Sequence, residues 1–398
     1  MAPLSTRSFL ASLATLGAAA GAPLLQRLAA QESGQETVAD RSSTIRITKL
    51  TPIPFARKVY LKLETSHGVT GWGEIDQLEP RTATALVGSL FELLDGENPT
   101  RIEHLWQKIY RSHRDIRGGS FMVHTLAGID MALWDITGKL WGVPVHRLLG
   151  GPTRNKVRVY PSDSATKVGA HPKGFSGTPQ EIESLVNQVA NARKKVGPAG
   201  LVMFDAHCAL PPPFLLQFAS AVKAHEITYI EEPAVPGNIE VFKRLKQQIS
   251  IPFAVGEQAR TIFDVVQYLQ NGIADFMQVD CAHTGGISQM RKIAALAEAY
   301  QVPMAPHCVT TDLGMAASLH ASATAPLFFI HEYYPNITPK DLVEKDWEIS
   351  KDGYASLPTR PGIGCVVNEI RLEELSKLPI VAEWPVRGRL PDGSIADY

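Results

Sequence analysis

Seven short apolar runs, each ending in polar residues, recur from residue 156 onward and constrain the fold more than any other feature. They read VRVYPSD, LVMFDAH, ITYIEEP, IPFAVGE, FMQVD, VPMAPH and LFFIHE. From the second run on, one polar residue follows each apolar stretch at intervals of 23 to 27 residues: Asp205, Glu231, Glu257, Asp280, His307 and Glu332. Helical patterns such as IEVFKRLKQQI lie between the runs. A strand, a helix of about three turns and two loops occupy this length. The repeat therefore predicts a parallel (β/α) barrel.

In a parallel barrel the carboxyl ends of the strands share one face, and that face carries the active site. The six polar residues are therefore expected to converge on one mouth. For any single residue, a helix N-cap or a surface position after a strand is the alternative. Six in succession at the same strand end favour a shared site.

Three of these residues, Asp205, Glu231 and Glu257, follow adjacent predicted strands. Clustered carboxylates without a cation would repel one another, and Mg²⁺ prefers oxygen ligands. We therefore predict one Mg²⁺ per subunit, bound by these three acids. These predicted ligands include no thiol and no histidine, which argues against zinc or copper.

Two histidines are placed near this set. His307 and Asp280 follow neighbouring strands, so the carboxylate could orient the imidazole through a hydrogen bond. His207 is expected to share a strand face with Asp205, because residues two apart in a strand point the same way.

The charge balance argues against two classes of partner. The 39 lysines and arginines nearly cancel the 40 acidic residues. No basic stripe indicates nucleic-acid binding, and no basic amphipathic run indicates a membrane-surface helix. The four cysteines, Cys208, Cys281, Cys308 and Cys365, show neither CxxC pairing nor zinc spacing. They are predicted to be packed free thiols.

Residues 1–30 have the pattern of an export signal. Arg7 precedes a run of leucines and small residues, and Leu28-Ala29-Ala30 suits cleavage. Residues 5–10 also resemble a twin-arginine signal, with Thr6 where the first arginine belongs. We predict export, to a bacterial periplasm, with a linker at 31–43; a disordered or core-packing N-terminal helix is the alternative. No other stretch approaches the ~20 apolar residues that span a bilayer.

Longer signatures carry a resemblance to a known family. They are TLAGIDMALWDITGKLWGVPVHRLLG at 125–150, Asp205-x-His207 followed by Ile230-Glu231-Glu232-Pro233, GGISQMRKIAALAEAYQVPMAPHC at 285–308, and Pro391-Asp392-Gly393-Ser394. The chain resembles the enolase superfamily in its mandelate racemase/muconate lactonizing enzyme branch. The pattern is most similar to that of the galactonate dehydratase-type sugar-acid dehydratases, and it covers about residues 44–398.

The resemblance implies an α/β architecture with two domains. A (β/α) TIM-type barrel is expected at 151–354, and an α+β capping domain at 44–150 covers its mouth. The C-terminal segment, 355–398, is expected to return and pack on the cap. Residues 66–74, SHGVTGWGE, indicate a glycine-rich hairpin, and in this family such a loop closes over the substrate.

The first barrel unit departs from the regular pattern. The chain between Tyr160 and Asp205 is too short for two complete βα units. We predict that the first helix is missing and that the second strand is reduced or absent. The Lys-x-Lys motif that some relatives carry on this strand is absent as well. For Lys167, His171 and Lys173, a solvated loop is favoured over a place in the mouth.

The residue types and the resemblance together imply a Mg²⁺-dependent lyase acting on an acid sugar. His307, oriented by Asp280, would remove the proton next to the substrate carboxylate, and Mg²⁺ would stabilise the resulting enediolate. His207 would protonate the departing 3-hydroxyl, and Glu332 would hydrogen-bond the developing enediolate oxygen. Loss of water would leave a 2-keto-3-deoxy acid.

Two other functions stay open from the sequence. A racemase or epimerase of an α-hydroxy acid would use the same intermediate, and a non-catalytic acid-sugar-binding protein would use the same pocket. The expected partners are a small acid-sugar substrate and further copies of the chain in a homo-oligomer.

Overall fold

The computed structural model describes residues 43–162, 164, 166–169, 175–380, 389–390 and 392–395. Residues 1–30 of the predicted export signal and nearly all of the linker lie outside the described residues, as do His171 and Lys173. The described residues from 45 onward form one compact unit.

The first part of this unit is an antiparallel sheet covered by helices. Its three strands are β1 (Ile47–Phe55), β2 (Lys58–Thr65) and β3 (Thr70–Ile75), paired in the order β1-β2-β3. Three helices follow: α1 (Pro80–Phe91), α2 (Ile102–Ser112) and α3 (Ser120–Trp141). A short helix, α4 (Val145–Leu148), leads to the next part.

Two glycines of the predicted hairpin, Gly71 and Gly73, serve helix packing. The turn itself lies between Thr65 and Thr70, as the sequence predicts. Gly73 lies in β3 against α3, where an added Cβ would stand 1.9 Å from the Gly128 carbonyl oxygen. Only glycine permits so close an approach of strand and helix backbones. These glycines therefore set the distance between the sheet and the buried helix.

The second part is a (β/α) barrel, so the predicted fold class is confirmed. Its strands are β4 (Lys156–Pro161), β5 (Lys167–Gly169), β6 (Met203–Asp205), β7 (Tyr229–Glu231), β8 (Phe253–Val255), β9 (Phe276–Met277) and β10 (His331–Tyr333). Strands β5 to β9 form a parallel sheet in chain order. Parallel bridges continue it through Met304 to Phe328, and β10 pairs in parallel with β4.

The barrel helices alternate with these strands. They are α5 (Pro179–Val196), α6 (Pro212–Val222), α7 (Ile239–Gln248), α8 (Ile262–Gln270), α9 (Ile287–Ala299) and α10 (Asp312–Thr324). Beneath the mouth, buried inward side chains pack in one layer: Tyr160, Met203, Tyr229, Ala254, Ala305 and Ile330. This layer makes the barrel a packed support for the site above it.

The first barrel unit is degenerate, as the sequence predicts. No helix occurs among the described residues between β4 and β5, and β5 has three residues. The next helix, α5, begins with a capping box between Thr178 and Glu181, which satisfies exposed backbone N–H groups at its start. The second strand is therefore reduced rather than absent.

The C-terminal part returns to the capping sheet. It contains β11 (Val343–Lys345), β12 (Tyr354–Ser356), β13 (Cys365–Val367) and α11 (Glu369–Ser376). Helix α11 packs on β1, and Glu369 lies 2.6 Å from the Lys62 ammonium of β2. This segment thus completes the cap; the exact domain boundaries stay predictions.

Two further sequence predictions can be compared with the described residues. All four cysteines are thiols outside any disulfide, and three of them are buried. Within the described ranges, no helix is long and apolar enough to cross a membrane.

Candidate active site

The polar residues after the barrel strands meet at the carboxyl ends of those strands. Asp205 and Glu231 are the last residues of β6 and β7, and they stand side by side in the strand register. Both are buried. Glu257, Asp280 and His307 follow the next strand ends, where the chain leaves the sheet. The structure therefore brings the predicted residues together at one mouth.

Lys167 lies at the centre of the acids, so the prediction of a solvated loop is wrong for this residue. Its ammonium is 2.9 Å from Glu332 Oε1, 3.0 Å from Glu231 Oε1 and 3.4 Å from Asp205 Oδ2. The reason is the register of β5, which places Lys167 level with Met203 of the interior layer. From there the long side chain reaches up to the next layer, where the carboxylates stand.

Electrostatics at this centre are dominated by the excess of acids. Burial alone would lower the pKa of Lys167, but the facing Glu231, Glu332 and Asp205 raise that pKa well above its ordinary value. Burial and the neighbouring Asp205 and Glu332 raise the pKa of Glu231 well above its ordinary value despite Lys167. One ammonium thus faces three carboxylates. Among the described residues, Glu231 Oε2 and Glu332 Oε2 are buried without a hydrogen-bond partner.

His307 and Asp280 form the predicted dyad geometry. His307 Nδ1 lies 2.8 Å from Asp280 Oδ2, and the Ala282 N–H donates to Asp280 Oδ1 at 2.7 Å. An anionic Asp280 can only accept, so Nδ1 carries the proton and Nε2 is free to point elsewhere. Nε2 lies 3.8 Å from Glu257 Oε2. The imidazole therefore links the dyad to the acids of the mouth.

The pKa directions of the dyad follow from its neighbours. Burial would lower the pKa of His307, but Glu257 and the hydrogen bond to Asp280 raise it well above its ordinary value. Burial would raise the pKa of Asp280, but His283 and His307 hold it well below its ordinary range. Asp280 is consequently an anion at any physiological pH.

His207 lies beside Asp205, but the predicted shared strand face is wrong. Strand β6 ends at Asp205, and His207 has a left-handed backbone with φ of 46°. The His207 N–H donates to Asp205 Oδ1 at 2.8 Å, and Nδ1 lies 3.4 Å from Asp205 Oδ2. A tight turn, stabilised by the aspartate itself, thus presents the imidazole to the mouth. Burial would lower the pKa of His207, but the Asp205 hydrogen bond raises it.

Sequence reasoning missed Glu232. This residue is buried, also has a left-handed backbone, and accepts a 2.6 Å hydrogen bond from Gln258. Burial and the nearby Glu257 raise the pKa of Glu232 to about 8. A ligand atom of Glu232 lies within 4.8 Å of ligand atoms of Asp205 and His207. The doubled glutamate of the Ile-Glu-Glu-Pro motif was the only available signal for it.

Sequence reasoning also missed a pair of buried histidines behind the dyad. His283 follows Asp280 by three residues, and its ring stacks on that of His124 from α3, with centroids 4.5 Å apart. His283 Nδ1 lies 3.2 Å from the Glu257 carbonyl oxygen. Burial lowers the pKa of His283 to about 4, so this imidazole is neutral.

The cap reaches the loop that follows His307. Glu74 of β3 accepts hydrogen bonds from the Thr311 backbone at 3.0 Å and the Gly314 backbone at 3.2 Å. Lys58 of β2 lies 3.2 Å from Glu74 and donates to the Val309 carbonyl at 3.1 Å. These buried contacts attach the sheet of the cap to the start of α10.

Comparisons with known proteins agree with this geometry. Residues 37–150 match the mandelate racemase/muconate lactonizing enzyme N-terminal domain, and residues 154–371 match the enolase C-terminal domain-like family. The D-galactonate dehydratase of Ralstonia pickettii is 34% identical over 387 residues, which cover 89% of this chain and 100% of that protein. The D-galactonate dehydratase of Pectobacterium atrosepticum is 33% identical over 386 residues, with the same coverage.

Solved structures of the same family are similar to this chain in fold. An enolase from Agrobacterium radiobacter, with bound sodium and L-malate, matches with a TM-score of 0.79 at 28% identity, covering 88% of this chain and 99% of that one. A mandelate racemase/muconate lactonizing enzyme-like protein from Rubrobacter xylanophilus matches with a TM-score of 0.77 at 28% identity, covering 83% and 98%. The chain therefore belongs to the enolase superfamily, in its mandelate racemase/muconate lactonizing enzyme branch, and is an enzyme of the dehydratase family that the galactonate dehydratases represent.

Proposed function

We propose that the enzyme is a Mg²⁺-dependent acid-sugar dehydratase that converts an aldonic acid into a 2-keto-3-deoxy acid. The observation that carries the proposal is the His307–Asp280 dyad, whose free Nε2 faces the acid cluster. A site that only binds an acid sugar would not need an oriented base there. The relatedness to D-galactonate dehydratases supports the same reaction class.

The chemistry of the acid cluster fits a hard divalent cation. Asp205, Glu231 and Glu257 would hold it, since carboxylate oxygens are the ligands that Mg²⁺ prefers. The buried Glu231 Oε2 has no hydrogen-bond partner among the described residues, and Lys167 offers one positive charge to several acids. When bound, the cation would act as a Lewis acid toward the substrate carboxylate.

The base would be His307. A base has to be neutral, and Glu257, a proposed cation ligand, is the strongest of the charges that raise the pKa of His307. If Glu257 binds the cation, its charge raises the pKa of His307 less. The imidazole is then neutral and available as a base. Asp280 keeps Nδ1 protonated and Nε2 directed at the mouth, where it would take the α-proton.

The acid would be His207, on the opposite side of the acid cluster. Its raised pKa keeps a proton available for a departing 3-hydroxyl.

Glu332 is held as an anion by Lys167 and His307, which lower its pKa although burial alone would raise it. An anionic Glu332 cannot donate to an enediolate oxygen, so we assign that donation to the Lys167 ammonium, which Glu332 holds in place at 2.9 Å.

Racemisation or epimerisation is the second candidate, and the position of Lys167 is what favours it. A lysine in the mouth could serve as a second base on the other face of the substrate. However, Glu332 is not a proposed cation ligand, and it lies 2.9 Å from the Lys167 ammonium and raises the pKa of that group, whereas a base must be neutral. Dehydration is therefore the better-supported reaction.

The test is an incubation of the purified protein with a panel of aldonic and aldaric acids, including D-galactonate, in Mg²⁺ and in chelator. A 2-keto acid should form with at least one substrate in Mg²⁺ and with none in chelator. Epimerised substrate without keto acid would favour the racemase, and turnover in chelator would contradict the metal requirement.

We further propose export with removal of residues 1–30, on the sequence pattern alone. Mature protein from the periplasm should begin beyond Ala30 by mass spectrometry. An intact N-terminus in the cytoplasm would contradict this. Assembly into a homo-oligomer stays a prediction.

A further inference from the structure

His283 lies behind the His307–Asp280 dyad, and its ring nitrogen Nε2 has no role in the proposed dehydration. The carbonyl oxygen of Glu257 can only accept a hydrogen bond, so the 3.2 Å contact makes His283 Nδ1 the protonated nitrogen of that ring. His283 Nε2 then carries a lone pair. It is buried without a hydrogen-bond partner among the described residues, 3.9 Å from Asp280 Oδ2. A buried polar atom in this state is costly unless something binds it.

The neighbours of this nitrogen are themselves metal-ligand types. Asp280, His283 and His307 each offer one ligand atom, and these atoms all lie within 4.8 Å of one another. Bonds of roughly 2.0–2.1 Å to a zinc-sized ion would place neighbouring ligand atoms roughly 3 Å or more apart. Only small side-chain movements would therefore bring the three ligand atoms to bonding distance of one ion.

The ring of His283 is also held in one orientation. His124 of α3 stacks on it with an angle of 10° between the planes, and His124 Nδ1 is fixed by the Asp76 carbonyl at 2.9 Å. The cap thus supports the back of the ring. A ligand fixed in this way loses little side-chain freedom on binding.

We propose that Asp280, His283 and His307 form an inhibitory site for a divalent transition-metal ion such as Zn²⁺ or Co²⁺. Two imidazoles and one carboxylate suit these ions, whereas Mg²⁺ prefers oxygen ligands alone. The site therefore differs in metal class from the carboxylate cluster of Asp205, Glu231 and Glu257. The two sites can be loaded separately.

Inhibition follows from the identity of the shared residues. An ion on His307 Nδ1 replaces the proton that this nitrogen donates to Asp280. In the neutral imidazole this proton moves to Nε2, so the lone pair that would take the α-proton is lost together with the orientation of the base. This consequence depends on the proposed role of His307 in dehydration, but metal binding itself does not.

The test is a titration of Co²⁺ into the full-length protein in saturating Mg²⁺, followed by visible absorption. Wild type should take up one Co²⁺ per chain with the strong visible absorption of four-coordinate Co²⁺, which six-coordinate Co²⁺ in an oxygen site lacks, and Zn²⁺ should displace it. His283→Gln should weaken Co²⁺ binding by at least about tenfold. Removal of a residue that only hydrogen-bonds a metal ligand typically costs about this much, and removal of a ligand itself should cost more. His283→Phe keeps an aromatic ring against His124 and serves as the second variant.

The control is His67→Gln, which removes an exposed histidine and should leave Co²⁺ binding unchanged. Absence of this strong absorption in wild type, or equal Co²⁺ affinity in a folded His283 variant, would overturn the proposal. Co²⁺ binding that depends on His283 but leaves turnover unaffected would support the site and contradict the role of His307 as the base. Co²⁺ binding without turnover of any acid sugar would support the site and count only against the proposed reaction.

Discussion

At the scale of single residues, the proposed base and the proposed acid lie at different strand ends of the mouth. His307 is bound to Asp280 on one side of the acids, and His207 is bound to Asp205 on the other. We predict that His207→Asn stops keto-acid formation but retains exchange of the substrate C2 proton with solvent deuterium. His307→Asn should lose both, by about 10²–10⁴-fold. Mass spectrometry of recovered substrate and product measures the two reactions together.

Each result has a contrary outcome. Normal dehydration by the His207 variant would show that this residue is only a neighbour of the acids. Exchange that persists without His307 would move the base elsewhere.

Lys167 places one positive charge among the buried carboxylates of the acid cluster. Its ammonium contacts Asp205, Glu231 and Glu332. We predict that Lys167→Met destabilises the chelator-treated protein by about 3–5 kcal/mol, because removal of one partner leaves buried charges unpaired. Mg²⁺ should then raise the melting temperature more in the variant than in wild type.

The matched control for this experiment is Lys292→Met. Lys292 contacts Glu103 at 2.7 Å on the surface, where an ion pair contributes about 0–1 kcal/mol. Equal melting temperatures of wild type and Lys167→Met in chelator would contradict the role assigned to Lys167.

At the scale of elements, periodicity predicted most of the barrel, because regular strand and helix lengths repeat at a nearly constant interval. It could not place Lys167, since β5 has only three residues and no helix separates it from β4 among the described residues. It also missed the turn at His207, because a strand pattern does not report where pairing stops. Both failures occur where local backbone geometry, and not hydrophobic burial, decides the position of a side chain.

The attachment of the cap to α10 gives a prediction at the same scale. Glu74 accepts from the backbones of Thr311 and Gly314, and it is fully buried. We predict that Glu74→Gln lowers the free energy of unfolding by about 1–3 kcal/mol, because a buried acceptor is replaced by a group that cannot accept all the same bonds. Urea unfolding measures this.

Glu369→Gln is the control for Glu74→Gln, since Glu369 contacts Lys62 in a partly exposed pair and its loss should cost about 0–1 kcal/mol. A Glu74 variant as stable as this control would show that the cap does not depend on the buried carboxylate.

At the scale of the whole molecule, buried neutral histidines connect stability to pH. His320 donates from Nε2 to the Ile363 carbonyl, and its Nδ1 lies 3.0 Å from His146 Nδ1. Burial lowers the pKa of His320 to about 3 and that of His331 to about 4. Above about pH 6.5 these rings are neutral in both the folded and the unfolded chain, and they add no pH dependence.

Below about pH 6.5 these histidines bind protons in the unfolded chain but stay neutral in the folded chain. The free energy of unfolding therefore falls as the pH falls toward 4. Each such histidine contributes a slope of about 1.4 kcal/mol per pH unit. We predict that His320→Gln unfolds in urea with a slope between pH 6 and 4 that is shallower by about that amount. The variant His67→Gln, at an exposed position, is the matched control and should keep the wild-type slope. Equal slopes for wild type and His320→Gln would mean that His320 gains a proton in the folded protein, and that the pairing with His146 tolerates the charge.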